Sequence, residues 1–311
     1  MDEVIVAIDG GATKTVLTVR KRTTTLLELK RDGTNYQTSG EAKVRKVLTD
    51  LLAEVRKVLP DMQVTIAIFA IAGIDSKQDE QIVRGIVEEL IQTQGLQVGK
   101  LIVENDAEAT MLGATKGEPG ALLISGTGSI AFAHDGKSRI VRSGGWGHRA
   151  GDEGSGYWIG REVLRAIFRM EDGRGPFTSL KEEVLKELQL NSVQDLAVWL
   201  FASTSSVDMV ANLSRVLNIC AEKGDSVAIG ILKEAGHELA LLFGSVLRKC
   251  ELENEGCNVY LNGGALIHSK MLVYELEKRV KAEFPLCKAV ISLKAPIEFI
   301  VERGWMELSI G

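Results

Sequence analysis

The sequence predicts a two-domain α/β protein, and a repeat carries that prediction. A hydrophobic strand, a Gly/Thr turn and a second hydrophobic strand occur first as "VIVAIDGGATKTVLTV" and again as "GALLISGTGSIAFAH". Strands alternating with amphipathic helices follow the first copy, the pattern of an α/β layer with a mixed sheet. With 311 residues, the chain is also longer than one compact core usually serves.

The elements follow in order. "EVIVAIDG", "TVLTVR" and "TTLLELKRD" read as three strands, the first two joined as a hairpin by the glycine-rich turn. Residues 41–59 place Val44, Val47, Leu48, Leu51, Leu52, Val55, Val58 and Leu59 on one helical face, and Pro60 stops the helix. "VTIAIFAIAG" is a strand, "DEQIVRGIVEELIQTQ" a helix, "KLIVEN" a strand and "AEATMLGATKG" a short helix. After the second hairpin and a third strand, helices are expected near 154–172, 177–189, 193–201, 207–222 and 225–249. A strand "CNVYLN", a helical "GGALIHSKMLVYELEKRV" and a last helix near 296–308 complete the chain. Gly and Pro in "TKGEPG" punctuate the halves. The expected domains are 1–116 with a returning 294–311, and 117–293.

Composition narrows the class. A net charge of −5 argues against a nucleic-acid partner. The longest apolar run, "TIAIFAIAGI", is about half a membrane span, so no membrane partner is expected. The opening "MDEV" lacks the basic flank of a leader. Cys220, Cys250, Cys257 and Cys287 form no CxxC pair, and the expectation is reduced thiols in a cytoplasmic protein.

Chemistry concentrates in four clusters. In "IVAIDGGATKT", small residues and hydroxyls follow a strand that ends in Asp9. Two such Gly/Thr turns can surround the oxygens of a nucleoside triphosphate. A carboxylate beside phosphate calls for a cation, so Asp9 is the candidate holder of hydrated Mg²⁺, with Thr13, Lys14 and Thr15 on phosphate. A plain glycine turn with a capping Asp is the alternative. In "IVENDAEATMLGA", Asn105 or Asp106 can cap a helix, and Asp106 can also take a proton from a substrate hydroxyl. "GTGS" is the second turn. In "SGGWGHRAGDEGSGYWIG", glycines imply unusual backbone, and the Asp152–Glu153 pair beside Trp146 suits a sugar, with carboxylates on hydroxyls and an aromatic on the ring face. His148 and His237 read as structural, and the residues of 177–250 carry no identifiable chemistry, with "FASTSSVD" at 201–208 a hinge, a nucleotide contact or a loop.

Taken in order, "DGGATKT", "NDA", "GTGS", "GGWGHRAGDEGSGYWIG" and "NGG" resemble the N-acetylglucosamine kinases of the BadF/BadG/BcrA/BcrD-type ATPase family, within the actin and sugar-kinase superfamily. The resemblance implies two RNase-H-like (actin-like ATPase) domains flanking a nucleotide and sugar cleft that closes to exclude water. It places ATP on Gly10, Gly11, Thr13, Lys14, Thr15, Gly126, Thr127, Gly128, Gly263 and Gly264, with Ala211 and His268 nearby. It places sugar on Asn35, Gly73, Ile74, Asp106, Ser129, Ile130, Gly145, Trp146, Gly147 and Asp152. Asn35 is otherwise a plain turn residue, and Ile130 stands where some relatives have a polar residue. Asp106 is the implied base for transfer to the C6 hydroxyl, and a homodimer is common in the family. The rivals are a kinase of glucosamine, glucose or N-acetylmuramic acid, an activator of acyl-CoA dehydratases, and a sugar sensor. The cysteines fall outside the segment an activator's iron–sulfur cluster needs. A sensor is expected to add a DNA-binding module, which is not expected here.

Overall fold

A computed structural model describes residues 3–60, 63–203 and 206–310. The chain packs as two units, Met1–Glu118 with Lys294–Gly311, and Pro119–Leu293.

In unit 1 the order is β1 (Ile5–Gly10), β2 (Lys14–Arg20), β3 (Thr25–Asp32), α1 (Tyr36–Ser39), α2 (Glu41–Val58), β4 (Val64–Ile71), α3 (Lys77–Thr93), β5 (Val98–Glu104) and α4 (Asp106–Thr115). The sheet runs β3-β2-β1-β4-β5, antiparallel among the first three strands and parallel across β1, β4 and β5. Both faces are covered, which is why β1 and β4 read as continuous hydrophobic runs. Alternation still sorts the side chains. Val4, Val6 and Ile8 join the cluster that holds the apolar faces of α2 and α3. Ile5 and Ala7 join Ala109 of α4 and the helix that returns at the end of the chain. Asp9 continues the second series and so lies on the α4 side of the sheet.

In unit 2 the order is β6 (Gly120–Ser125), β7 (Ser129–His134), β8 (Ile140–Gly144), α5 (Gly156–Glu171), α6 (Leu180–Glu187), α7 (Val193–Phe201), α8 (Val207–Glu222), α9 (Ser226–Lys249), β9 (Asn258–Asn262), α10 (Gly264–Ile267), α11 (Lys270–Glu283) and β10 (Lys288–Ile291). The sheet runs β10-β9-β6-β7-β8, with β6, β9 and β10 parallel and the β6-β7-β8 hairpins antiparallel. One continuous core joins this sheet to α5, α8, α9 and α11. The last element, α12 (Pro296–Ile310), packs back on β1 and α4 in unit 1. Its approach to α4 requires glycine: a Cβ on Gly113 would stand 1.9 Å from the Phe299 carbonyl oxygen.

Two elements have no counterpart in the sequence reading. The strand β10 is four residues of edge, too short for a periodic signal. The single turn α1 forms because the Asn35 side chain caps it. The helix expected at 177–189 begins later, at Leu180, because Thr178 and Ser179 both donate to Asp225, the cap of α9. The cysteines that look scattered in sequence are not all apart: the β9/β10 register brings Cys257 and Cys287 to an Sγ–Sγ distance of 3.7 Å.

Candidate active site

Unit 1 gathers its polar residues at the carboxyl ends of the parallel strands, where open α/β sheets place ligands. Asp9 is buried, and burial pushes its carboxyl up to about 6, with Lys14 pulling the other way. Asp106 opens α4 just past β5. Burial, and then the charge of Asp9, push it up to about 7, against hydrogen bonds from backbone N–H groups. Either Asn105 or Asp106 suited the helix cap, and Asn105 takes it: its Oδ1 accepts from the N–H of Ala107 at 2.9 Å and Glu108 at 3.3 Å. The same side chain donates Nδ2 to the Ile74 carbonyl at 3.2 Å. Asn105 thus ties the loop after β4 to the start of α4, and Asp106 does not have to cap.

The structure places the other expected contact residues of unit 1 as follows. Thr15 is buried, and its hydroxyl donates to the Asp32 carbonyl at 2.7 Å and meets the Thr34 hydroxyl at 3.0 Å. Strand alternation turns it inward, and its hydroxyl ties β2 to the end of β3. The Gly11 amide donates to the Lys14 carbonyl at 3.0 Å and closes the turn. Gly10 is demanded by space, since a Cβ there would lie 2.4 Å from Thr34 Oγ1. Thr13 and Lys14 are exposed. Asn35 accepts from the Thr38 N–H at 3.0 Å and abuts Gly73. Ile74 is buried.

In unit 2 the turn after β6 borders a hollow of about 350 Å³. Gly126, Thr127, Ala211, Gly264 and His268 line it, so residues far apart in sequence and all expected at a nucleotide come together. Gly128 and Gly263 are not among its lining residues. Gly263 instead sets the chain path, with φ +99 and its Cα so close to β6 that a Cβ would meet the Ser125 carbonyl oxygen at 2.3 Å. Asp208, Asn212, Arg215 and Asn218 also face the hollow from α8. The sequence reading missed them. Their signal was a polar stripe at helical spacing around Ala211, in a stretch read as chemically silent. Residues 204 and 205 of the "FASTSSVD" segment lie outside the described residues.

The loop between β8 and α5 is tightly wound. Gly145, Gly147 and Asp152 all have positive φ, and Asp152 is buried. Burial raises its carboxyl, while backbone N–H groups of Ser129 and Gly147 and the charge of His148 lower it. His148 also packs edge-on to Tyr157 at 5.0 Å, so it has partners that sequence reasoning did not see. The Ser129 hydroxyl donates to the Glu153 carbonyl at 2.8 Å, which leaves it only accepting capacity toward a sugar. Ile130 packs under Gly145, whose missing Cβ would lie 2.4 Å from it. Trp146 is 72% exposed, with the Arg142 guanidinium 4.8 Å over its ring.

No group of three or more His, Cys, Asp or Glu side chains is arranged to hold a metal among the described residues. A magnesium ion that keeps most of its waters asks for less, one or two carboxylates. Asp9 fits that demand, because a cation beside it would relieve the burial that raises its carboxyl. No helix among the described residues is long and apolar enough to cross a membrane.

Residues 6–298 match the BadF/BadG/BcrA/BcrD ATPase family. The chain belongs to that family. An N-acetylmuramic acid/N-acetylglucosamine kinase of Clostridium acetobutylicum is 35% identical over 93% of this chain and 94% of its own. An N-acetyl-D-glucosamine kinase of Dictyostelium discoideum is 31% identical over 91% of this chain and 92% of its own. A solved structure from Porphyromonas gingivalis, provisionally named an N-acetylglucosamine kinase, superposes with a TM-score of 0.72 at 19% identity, covering 97% and 98% of the two chains. The fold of this family member is that of the actin-like sugar kinases, with one five-stranded mixed sheet in each unit.

Proposed function

We propose that this chain is an ATP-dependent sugar kinase that phosphorylates N-acetylglucosamine on its C6 hydroxyl. The observation that carries the reading is placement: Asp9 near the end of β1 and Asp106 at the start of α4 put two carboxyls at the carboxyl end of one sheet, in a chain 31–35% identical to N-acetylglucosamine kinases. A general base works best with a pKa near the operating pH, and Asp106 at about 7 meets that condition. In the proposed reaction Asp106 accepts the C6 hydroxyl proton as that oxygen attacks the γ-phosphorus in line. The bond from phosphorus to the β–γ bridging oxygen breaks, and ADP leaves. Asp9 would hold Mg²⁺, which supplies charge neutralisation at the phosphates when bound. On the nucleotide side we assign Gly126, Thr127, Ala211, Gly264 and His268, which share one hollow. On the sugar side we assign Asn35, Gly73, Ile74, Trp146, Gly147 and Asp152. The family's tendency to homodimers extends to a proposed dimer, which sedimentation would check, and four free thiols suit the cytoplasm.

The test is coupled ADP release with N-acetylglucosamine, N-acetylmuramic acid, glucosamine, glucose and N-acetylmannosamine as acceptors. Release is expected with N-acetylglucosamine and absent in Asp106→Asn. Release that ignores every sugar overturns the reading in favour of an ATPase activator. Absence of release and of sugar phosphate points to a sensor.

A further inference from the structure

A threonine hydroxyl has one proton to donate. In unit 2, Thr127 donates it to a carboxylate: its Oγ1 stands 2.7 Å from Asp208 Oδ1. Both residues line the hollow assigned above to the nucleotide. Asp208 sits in the first turn of α8, where Ser206 caps the helix by accepting from the Met209 N–H. The backbone carrying the carboxylate is therefore anchored. A phosphate oxygen at neutral pH only accepts, as a carboxylate does, so Thr127 cannot serve both at once.

We infer that Asp208 is a positioning residue that competes with nucleotide phosphate for the Thr127 hydroxyl, so that nucleotide enters this hollow by exchanging one acceptor for the other. Asp208 holds the turn after β6 in register with α8 while the hollow is open. The exchange sets the affinity for ATP below what the turn alone would give. The inference rests on the kinase reading, and within it makes Asp208 a determinant of nucleotide affinity.

The experiment is calorimetric titration of the purified full chain with a non-hydrolysable ATP analogue and Mg²⁺, without sugar. Wild type, Asp208→Ala, Thr127→Ala and the double variant form a cycle. Thermal unfolding of each variant checks that it is folded. Asp208→Ala is expected to bind several-fold more tightly than wild type. In the Thr127→Ala background the same change is expected to alter affinity less than about twofold, because no hydroxyl remains to compete for. Equal tightening in both backgrounds would overturn the inference and leave only charge repulsion. Weaker binding by Asp208→Ala would overturn it by making Asp208 a direct nucleotide contact. Asp208→Asn keeps an acceptor without the charge and should fall between wild type and Asp208→Ala. Failure of wild type to bind the analogue would strike the kinase reading itself, a separate result from a wild type that binds and a cycle that shows no coupling.

Discussion

The two sheets share a topology and differ in what stands at their strand ends. Unit 1 runs β3-β2-β1-β4-β5 and unit 2, counted from its other edge, β8-β7-β6-β9-β10, so β1 corresponds to β6 and β5 to β10. The last ladder pairs are Gly10 with Thr15 and Ser125 with Ser129, which sets Asp9 against Ile124. Two residues past β5 comes Asp106, and two residues past β10 comes Leu293. One frame therefore ends in acids and the other in neutral residues around a glycine-rich turn. The frame repeats and the chemistry does not, because function lives in residues set on a fold. In the proposed kinase, proton and metal handling belong to unit 1 and the nucleotide hollow to unit 2.

The largest expected effect breaks the acidic half. Asp106→Asn should reduce turnover by about 10²–10⁴-fold, the usual worth of a general base, while nucleotide binding by calorimetry stays near wild type. Turnover within a few-fold of wild type would remove Asp106 from the chemistry. The wild-type rate should also fall as pH drops through about 7, since the base must be ionised. Stability runs the other way. The folded carboxyl lies near 7, above its ordinary value of 3.8, so the unfolded chain gives up the proton first as pH rises. This group's contribution is complete below the ordinary value and is lost as pH rises toward 7. Asp106→Asn should therefore raise the melting temperature at pH 8 and hardly change it at pH 4. A variant melting lower at pH 8 would contradict the assigned cause.

Asp9→Asn is next in size. It should reduce turnover by about tenfold or more and raise the magnesium concentration needed for half-maximal rate. It also sharpens the comparison, because the Asp9 charge helps to raise Asp106. Removing it should move the acid limb of the residual rate to lower pH. A limb that stays in place would show that burial alone sets the Asp106 carboxyl.

The legibility of the sequence followed the same division. Buried strands and amphipathic helices were readable because their periods are local, as at Ile5–Gly10 and Glu41–Val58. The four-residue edge strand Lys288–Ile291 was not, since its identity comes from pairing with β9. Asp9 and Asp106 stood out because each ends or follows an apolar run. Thr15 and Ser129 show a limit of the sequence: a hydroxyl beside a glycine turn looks available there, and only the fold shows that a carbonyl has taken its proton. Asp208, Asn212 and Arg215 were invisible as a site because what they face is supplied by the remote segments at 126–127 and 264–268.

The neutral half can be broken through its backbone. Gly263→Ala puts a Cβ 2.3 Å from the Ser125 carbonyl oxygen at a φ of +99. The expected loss is about 1–3 kcal/mol of stability, with a several-fold rise in the KM for ATP as the β6 turn shifts. For the stability loss Gly126→Ala is the matched control, because a Cβ there meets nothing within 4 Å. Equal losses in the two variants would mean that close approach is not what Gly263 provides.

The smallest effect concerns the contact of Arg142, on β8, with Trp146 of the loop that follows. Arg142 stands 4.8 Å over the Trp146 ring and leaves it 72% exposed, so one face is held and the other is free. An exposed cation–π contact is worth roughly 0.5–1 kcal/mol, about a two- to fivefold change in an equilibrium. Arg142→Ala should raise the KM for sugar by that factor and leave the KM for ATP alone, because the ring loses the support that orients its free face. Trp146→Ala should exceed it, since the packing surface itself goes. If Arg142→Ala instead lowered the sugar KM, the guanidinium would be occupying the face the sugar uses. Arg142 would then do beside this loop what Asp208 is inferred to do at the turn after β6, holding a binding group until the ligand displaces it.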